Sequence, residues 1–190
     1  MQVGLDSIYM LSETSYPTST IKGLIKYTDF DKGVVSKLMA EDISKKSAFA
    51  LVNYNDKYLF TIGGRPRVAK NAEVLSSVEK YNIETDTWSI APPLIEGRKL
   101  ASSCILNGHI YVYGGERADA SFLSSVEVIN AQAAIREDFD EEFLLNARWE
   151  TIELSVPGRA RCVFAPINGS QIAILGGIAR LKVLSDGYIF

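Results

Sequence analysis

The sequence predicts an all-β protein built from repeated sets of short antiparallel strands. Three observations carry this prediction. Diglycines at Gly63-Gly64, Gly114-Gly115 and Gly176-Gly177 each end an apolar run, and they lie 51 and then 62 residues apart. Asn107-Gly108 and Asn168-Gly169 each precede such a run, as expected of tight hairpin turns. Trp88 follows Tyr81 by seven residues, and Trp149 answers Trp88 61 residues later. Recurrence at this spacing is the signature of a repeat architecture, and it overrides the domain count that length alone suggests.

The clearest unit is Ser103–Gly115, SCILNGHIYVYGG, two apolar strands joined at Asn107-Gly108 and closed by the diglycine. Aligned on the diglycines, Tyr9 lies 51 residues before Phe60, which lies 51 before Tyr111. Ser12-Glu13 stands where the first diglycine belongs. The first repeat, 1–46, therefore reads as a degenerate unit lacking its inner strand. It has a loop at Thr14–Thr20 and strands at Lys22–Tyr27 and Val34–Met39. The second repeat, 47–96, predicts strands at Phe49–Val52, Lys57–Ile62, Val78–Asn82 and Trp88–Ile90. The third, 97–157, repeats Ser76-Ser77-Val78-Glu79 as Ser124-Ser125-Val126-Glu127, and carries an acidic insertion at 131–148. We read that insertion as a solvated bulge with helix as one option for it, the alternative being a docking segment, with Phe139, Phe143, Leu144 and Leu145 available to pack it onto the blade. The fourth, 158–190, opens on Gly158-Arg159 as the third opens on Gly97-Arg98, and reads as truncated.

Composition is that of an ordinary soluble protein, 47% hydrophobic and 23% charged over 190 residues. A net charge of −3 gives no global argument for nucleic acid or an anionic membrane. Two cysteines, Cys104 and Cys162, do not make a disulfide framework and read as buried thiols. The N-terminus lacks a basic stretch followed by an apolar one, and no run is long enough to span a membrane. The expectation is a cytoplasmic or nuclear protein.

These residues resemble the kelch repeat. That family's marks are a diglycine after the second strand, a Tyr in the third, and a Trp about seven residues on. Gly63, Gly64, Tyr81 and Trp88 carry all of them. Gly114, Gly115 and Trp149 carry most, with Ile129 in the Tyr place, and Gly176 and Gly177 carry the first. The resemblance implies a kelch-type β-propeller of four-stranded antiparallel blades, in which these residues are structural. Propellers close with about four to eight blades. This chain has two full repeats and two partial ones, so an incomplete ring is expected. It is either a piece of a longer propeller or a ring completed by a partner or a second copy through open blade faces.

The resemblance also implies that partners bind where the post-diglycine loops and the connections between blades meet. Those loops are cationic here. They hold Arg65, Arg67 and Lys70, then Arg117, then Arg180 and Lys182. Kelch adaptors that capture acidic peptides place Arg where Arg65 and Arg161 stand, although Leu100 occupies the latter position in the third repeat. Arg suits bidentate capture of carboxylate or phosphate. Arg98 and Arg159 match a commoner family arginine expected to be structural.

The single histidine, His109, lies at a hairpin turn and makes a His-based metal site or catalytic triad a poor reading. No catalytic residue, metal or cofactor is expected. The functional expectation is a protein-interaction module, a scaffold or substrate-recognition domain that takes a protein partner through an acidic or phosphorylated segment. Such domains often accompany BTB or F-box domains in ubiquitin ligases. The alternatives are an actin-binding kelch protein and, more remotely, a propeller oxidase or sugar isomerase.

Overall fold

The computed structural model describes residues 2–3, 7–16, 19–28 and 35–38 by their backbone, and 45–67, 73–136, 147–180 and 182–190 with their side chains. Four antiparallel sheets follow one another along the chain. The first contains β1 (Gln2–Val3), β2 (Ser7–Tyr16), β3 (Ser19–Thr28) and β4 (Val35–Leu38), paired in that order. After β5 (Lys46–Ser47), the second contains β6 (Ala50–Tyr54), β7 (Tyr58–Ile62), β9 (Val78–Asn82) and β10 (Thr87–Ala91), with β8 (Arg65–Pro66) pairing back onto β5. The third contains β11 (Ser102–Leu106), β12 (His109–Tyr113), β13 (Ser125–Asn130) and β14 (Glu150–Glu153), with helix α1 (Ala131–Ile135) after β13. The fourth contains β15 (Val163–Asn168), β16 (Gln171–Leu175) and β19 (Gly187–Ile189), and a two-stranded ribbon, β17 (Ile178–Ala179) with β18 (Lys182–Val183), stands beside it. The first strands of successive sheets are neighbours, β1 beside β6, β6 beside β11, and β11 beside β15. This is an incomplete propeller, all β apart from one short helix among the described residues.

Alternation along each strand sorts the side chains into two faces. Phe60 and Ile62 point forward, onto Ile110 and Val112 of the third sheet. Tyr111 and Tyr113 point forward in turn, onto Phe164, Ile172 and Ile174 of the fourth. The opposite face of the second sheet gathers Leu59, Tyr81, Leu51, Ile83 and Trp88. Trp88 leans on Tyr81 with ring centroids 5.1 Å apart. Trp149 is buried and its indole donates to the Pro92 carbonyl, tying the third sheet to the second. Trp149 therefore packs on the preceding sheet, while Trp88 packs on its own.

The first repeat departs from the sequence reading in two ways. A short β1 pairs with Ile8 and Tyr9 and stands beside β6, so the sheet has a strand in the inner position. The expected loop at 14–20 is instead strand as far as Tyr16 and again from Ser19, with Ser12 opposite Gly23 and Glu13 opposite Lys22. The cause lies in the missing diglycine. Gly63 and Gly64 take φ of +64° and +104°, which turns the chain out of its strand. Ser12 and Glu13 lack that freedom, and the hairpin runs straight through.

The turn in the fourth sheet also differs. Asn168 pairs with Gln171, so Gly169 and Ser170 form the turn and Asn168 takes the place of Leu106. A bulge between Pro166 and Asn168 absorbs the extra residue, and the Asn168 side chain accepts from the Ser170 amide to close the turn. The run 137–146 of the acidic insertion, including Phe139, Phe143, Leu144 and Leu145, lies outside the described residues. Its leading segment is α1, capped at its start by the Asn130 side chain. The Lys80 ammonium reaches across from the second sheet to the carbonyls of Ile135 and Arg136 at 2.7 and 2.8 Å. Gln132 donates to the Tyr54 hydroxyl.

A buried cation opens each of the last three repeats. Arg98 is fully buried and donates to the carbonyls of Gly114 and Ser125 and to Glu127 at 2.6 Å. Arg159 donates to the Gly176 carbonyl and to both oxygens of Asp186. Lys46, one residue ahead of the second repeat as bounded from the sequence, does the same work for it, bonding the carbonyls of Thr61 and Ser77 and pairing with Glu79. The backbone of these residues serves the preceding sheet. The Arg98 carbonyl accepts from the Gly64 amide, and the Arg159 carbonyl from Gly115. A Cβ on Gly63 or Gly114 would overlap those same carbonyl oxygens, so the glycines are required by space as well as by φ.

Two predictions follow from these buried groups. Glu127 also accepts from the amides of Ile95 and Glu96, so Glu127→Ala strands Arg98 and both amides. It is expected to cost about 3–5 kcal/mol, read from denaturant unfolding against wild type. Burial pushes the Cys104 thiol up to about 12. Iodoacetamide at pH 8 should therefore spare Cys104 in the native chain and alkylate it rapidly in denaturant, mapped by peptide mass. Because the folded value is raised, the proton it retains favours folding below the unfolded thiol range, and that contribution is lost as pH climbs toward 12.

Candidate functional site

In each of the last three repeats, the residue after the buried cation pairs with the residue after the diglycine. These pairs are Ser47 with Arg65, Lys99 with Glu116, and Ala160 with Ile178. The shared pairing brings the post-diglycine loops and the connections between sheets to one end of the molecule. The next residue in each repeat, Ala48, Leu100 and Arg161, has a φ between 54° and 58°. These three are strung together by their backbones. The Leu100 amide donates to the Ala48 carbonyl at 2.7 Å and the Arg161 amide to the Leu100 carbonyl at 3.0 Å. Left-handed backbone at non-glycine residues is strained and is held here by that chain of bonds. Arg161 is thus fixed in place by the preceding sheets.

A cleft of about 1050 Å³ opens between the third and fourth repeats at this end. One wall is the loop 116–122, with Glu116, Asp119, Ser121 and Phe122. The other is formed by Pro157–Arg161 and Ile178–Arg180. Arg161 and Arg180 are both exposed on that second wall, and Arg180 also has a positive φ of 45°. No ion pair or side-chain hydrogen bond holds either guanidinium among the described residues. Opposite them, the Glu116 carboxylate is already paired with Lys99 at 2.7 Å. Asp119 is exposed, and its hydrogen bonds with Ser121 hold its carboxyl below the usual range. The floor between is apolar, drawn from Leu100, Phe122, Ala160 and Ile178.

The other cations singled out in the sequence have separate placements. Arg117 is turned onto Glu96 through two contacts of 2.5 and 3.2 Å and also donates to Ser121. The hydrogen bond to Glu96 is the main reason its guanidinium is held above its ordinary range. Arg117 holds the loop; its guanidinium is already engaged. Arg67 is half-buried and donates to the Lys46 carbonyl at 3.0 Å. Arg65 is exposed on β8, with one long contact to Ser47, and it does not line the cleft. Lys182 is exposed in β18, and Lys70 lies outside the described residues. The structure thus brings Arg161 and Arg180 together and leaves Arg65 apart. The sequence reading missed the Arg117–Glu96 clamp and the part of Lys46. Alignment of Lys46 with Arg98 and Arg159 was the signal for the latter. Among the described residues, no cluster of three or more His, Cys, Asp or Glu gathers as a metal site, and no helix is long and apolar enough to cross a membrane.

Residues 48–95 and 97–132 match the model of the Kelch motif. The second and third repeats of the chain are kelch repeats. Among its relatives, Kelch-like protein 33 of Homo sapiens is 36% identical over 88 residues, which is 46% of this chain and 16% of that protein. The Influenza virus NS1A-binding protein of Homo sapiens is 40% identical over 116 residues, 60% of this chain and 17% of the relative. Kelch repeat and BTB domain-containing protein 12 of Danio rerio is 26% identical over 133 residues, 70% of this chain and 20% of the relative. The chain spans a fifth or less of the length of these three relatives.

The kelch loop 116–122 depends on its clamp, which gives a third prediction. Arg117→Ala should speed amide exchange at Ala120 and Ser121, whose N–H groups bond within that loop. Global stability should fall by less than about 1 kcal/mol, because the Arg117–Glu96 pair is close to half exposed.

Proposed function

We propose that this kelch chain is a protein-interaction module that takes an acidic or phosphorylated segment of a partner at the cleft between its third and fourth repeats. The observation that carries the reading is the pair Arg161 and Arg180. They share one wall, and no carboxylate neutralises them among the described residues. Glu116, a carboxylate of the facing wall, pairs with Lys99 instead. Guanidinium groups left in this way suit carboxylate or phosphate oxygens. The Arg161 backbone is held at positive φ with its amide on the Leu100 carbonyl, which fixes where that side chain starts. The names of relatives point the same way, because a BTB domain-containing protein, F-box/kelch-repeat proteins and a viral-protein-binding protein all carry similar repeats. A substrate-recognition role beside a BTB or F-box domain is the fuller form of the proposal. It carries no catalytic step.

The test is fluorescence anisotropy with a labelled peptide of four glutamates followed by four serines. Reversing both cleft charges, Arg161→Glu with Arg180→Glu, should weaken binding at least about tenfold at low salt, whereas Arg65→Glu and Lys182→Glu should have little effect. Binding that ignores the Arg161 and Arg180 reversals, or no binding by wild type, overturns the reading.

A further inference from the structure

The cleft is more than a cationic spot. Its charges are divided between two walls and its floor is apolar. Both arginines belong to the fourth repeat, on Pro157–Arg161 and Ile178–Arg180. The exposed acid of the facing wall, Asp119, belongs to the third repeat, on the loop held by Arg117 and Glu96, and, after its hydrogen bonds with Ser121, the Arg117 charge helps to draw its carboxyl down. Between them, Phe122 and Ile178 are half-buried, and the Leu100 side chain is offered beside them. The Gly114-Gly115 turn and the Arg159 relay fix the distance between the walls, because the Gly115 amide donates to the Arg159 carbonyl at 2.9 Å.

A uniformly acidic segment fits this arrangement poorly. It gains at Arg161 and Arg180 but brings like charge against Asp119, and it leaves the floor wet. A segment that is acidic at one end and apolar along the rest meets both demands. Its carboxylates face the fourth-repeat wall, and its apolar side chains cover Phe122 and Ile178 away from water. We infer that the ligand of this cleft is an acidic–apolar segment, with apolar side chains beside the acids that engage Arg161 and Arg180. This rests on the proposed function and narrows it from acidity alone to a two-part pattern.

The experiment uses the whole chain and two labelled peptides of equal charge. One has four glutamates followed by four leucines, and the other has four glutamates followed by four serines. The leucine peptide should bind at least about tenfold more tightly. Phe122→Ala should erase most of that preference, weakening the leucine peptide at least about fivefold more than the serine peptide. Ile178→Ser supplies a second test if the Phe122 variant fails to fold. Asp119→Asn should improve binding of a peptide of eight glutamates and leave the leucine peptide nearly unaffected, with the charge effect vanishing in high salt. Equal affinity for the leucine and serine peptides, each still lost on reversing Arg161 and Arg180, overturns this inference and leaves the functional reading standing. A leucine preference that survives both Phe122→Ala and Ile178→Ser also overturns it. Failure of both peptides to depend on Arg161 and Arg180 overturns the functional reading itself.

Discussion

The fold rests on a cation buried at the start of each of its last three repeats. Arg98 shows the arrangement most completely. Its carbonyl occupies the space that Gly63 vacates in the sheet before, and its guanidinium bonds the Gly114 carbonyl and Glu127 in the sheet it begins. One residue thus joins two sheets and the connection between them, because Glu127 also accepts from Ile95 and Glu96. A charge this deep is tolerable only when every donor finds an acceptor. Burial presses the Arg98 guanidinium downward, and Glu127 opposes that shift. Lys46 and Arg159 repeat the device with different carboxylates, Glu79 and Asp186. The apolar faces supply the driving force for stacking. The cations fix how each sheet meets the next.

That division of labour explains how the loop end acquires variable chemistry on an invariant frame. The pairs Ser47–Arg65, Lys99–Glu116 and Ala160–Ile178 have the same backbone geometry and unrelated side chains. Ala48, Leu100 and Arg161 likewise share one strained conformation and nothing else. A side chain at these positions can change without altering the path of the chain. The cleft is therefore a local choice made in the third and fourth repeats, and the second repeat presents a different surface.

Most of the fold was legible in the sequence because backbone demands leave narrow residue choices. A position at positive φ facing a carbonyl accepts glycine, so three diglycines in register marked three strand ends. Alternating apolar residues placed β7, β12 and β16 to within a residue. The first repeat was less legible, because its strands are defined by what it lacks. Without a diglycine the hairpin of β2 and β3 simply continues, and no single residue announces that. Lys46 was missed because it carries the same charge as Arg98 on a different side chain. The cleft was half legible. Cationic loops could be counted, but whether an arginine is free depends on a partner far away in sequence. Arg117 finds Glu96 21 positions earlier, while Arg161 and Arg180 find no carboxylate among the described residues. The tie from Lys80 to the end of α1 spans 55 residues and has no local signature at all.

The three cation pairs differ in one respect that bears on behaviour in solution. Neither side chain of Arg98–Glu127 is exposed, whereas Asp186, which holds Arg159, is 45% exposed. Salt scarcely reaches the first pair and readily screens the second. The stack is thus graded, firm at its centre and ionically soft at the fourth sheet. Arg159 stands two residues before Arg161 and within the wall that bears the cleft's charge. Ionic strength therefore acts on this wall twice, once on whatever charge the arginines meet and once on the frame that carries them. Such a surface responds to its medium more steeply than its two exposed charges alone would suggest.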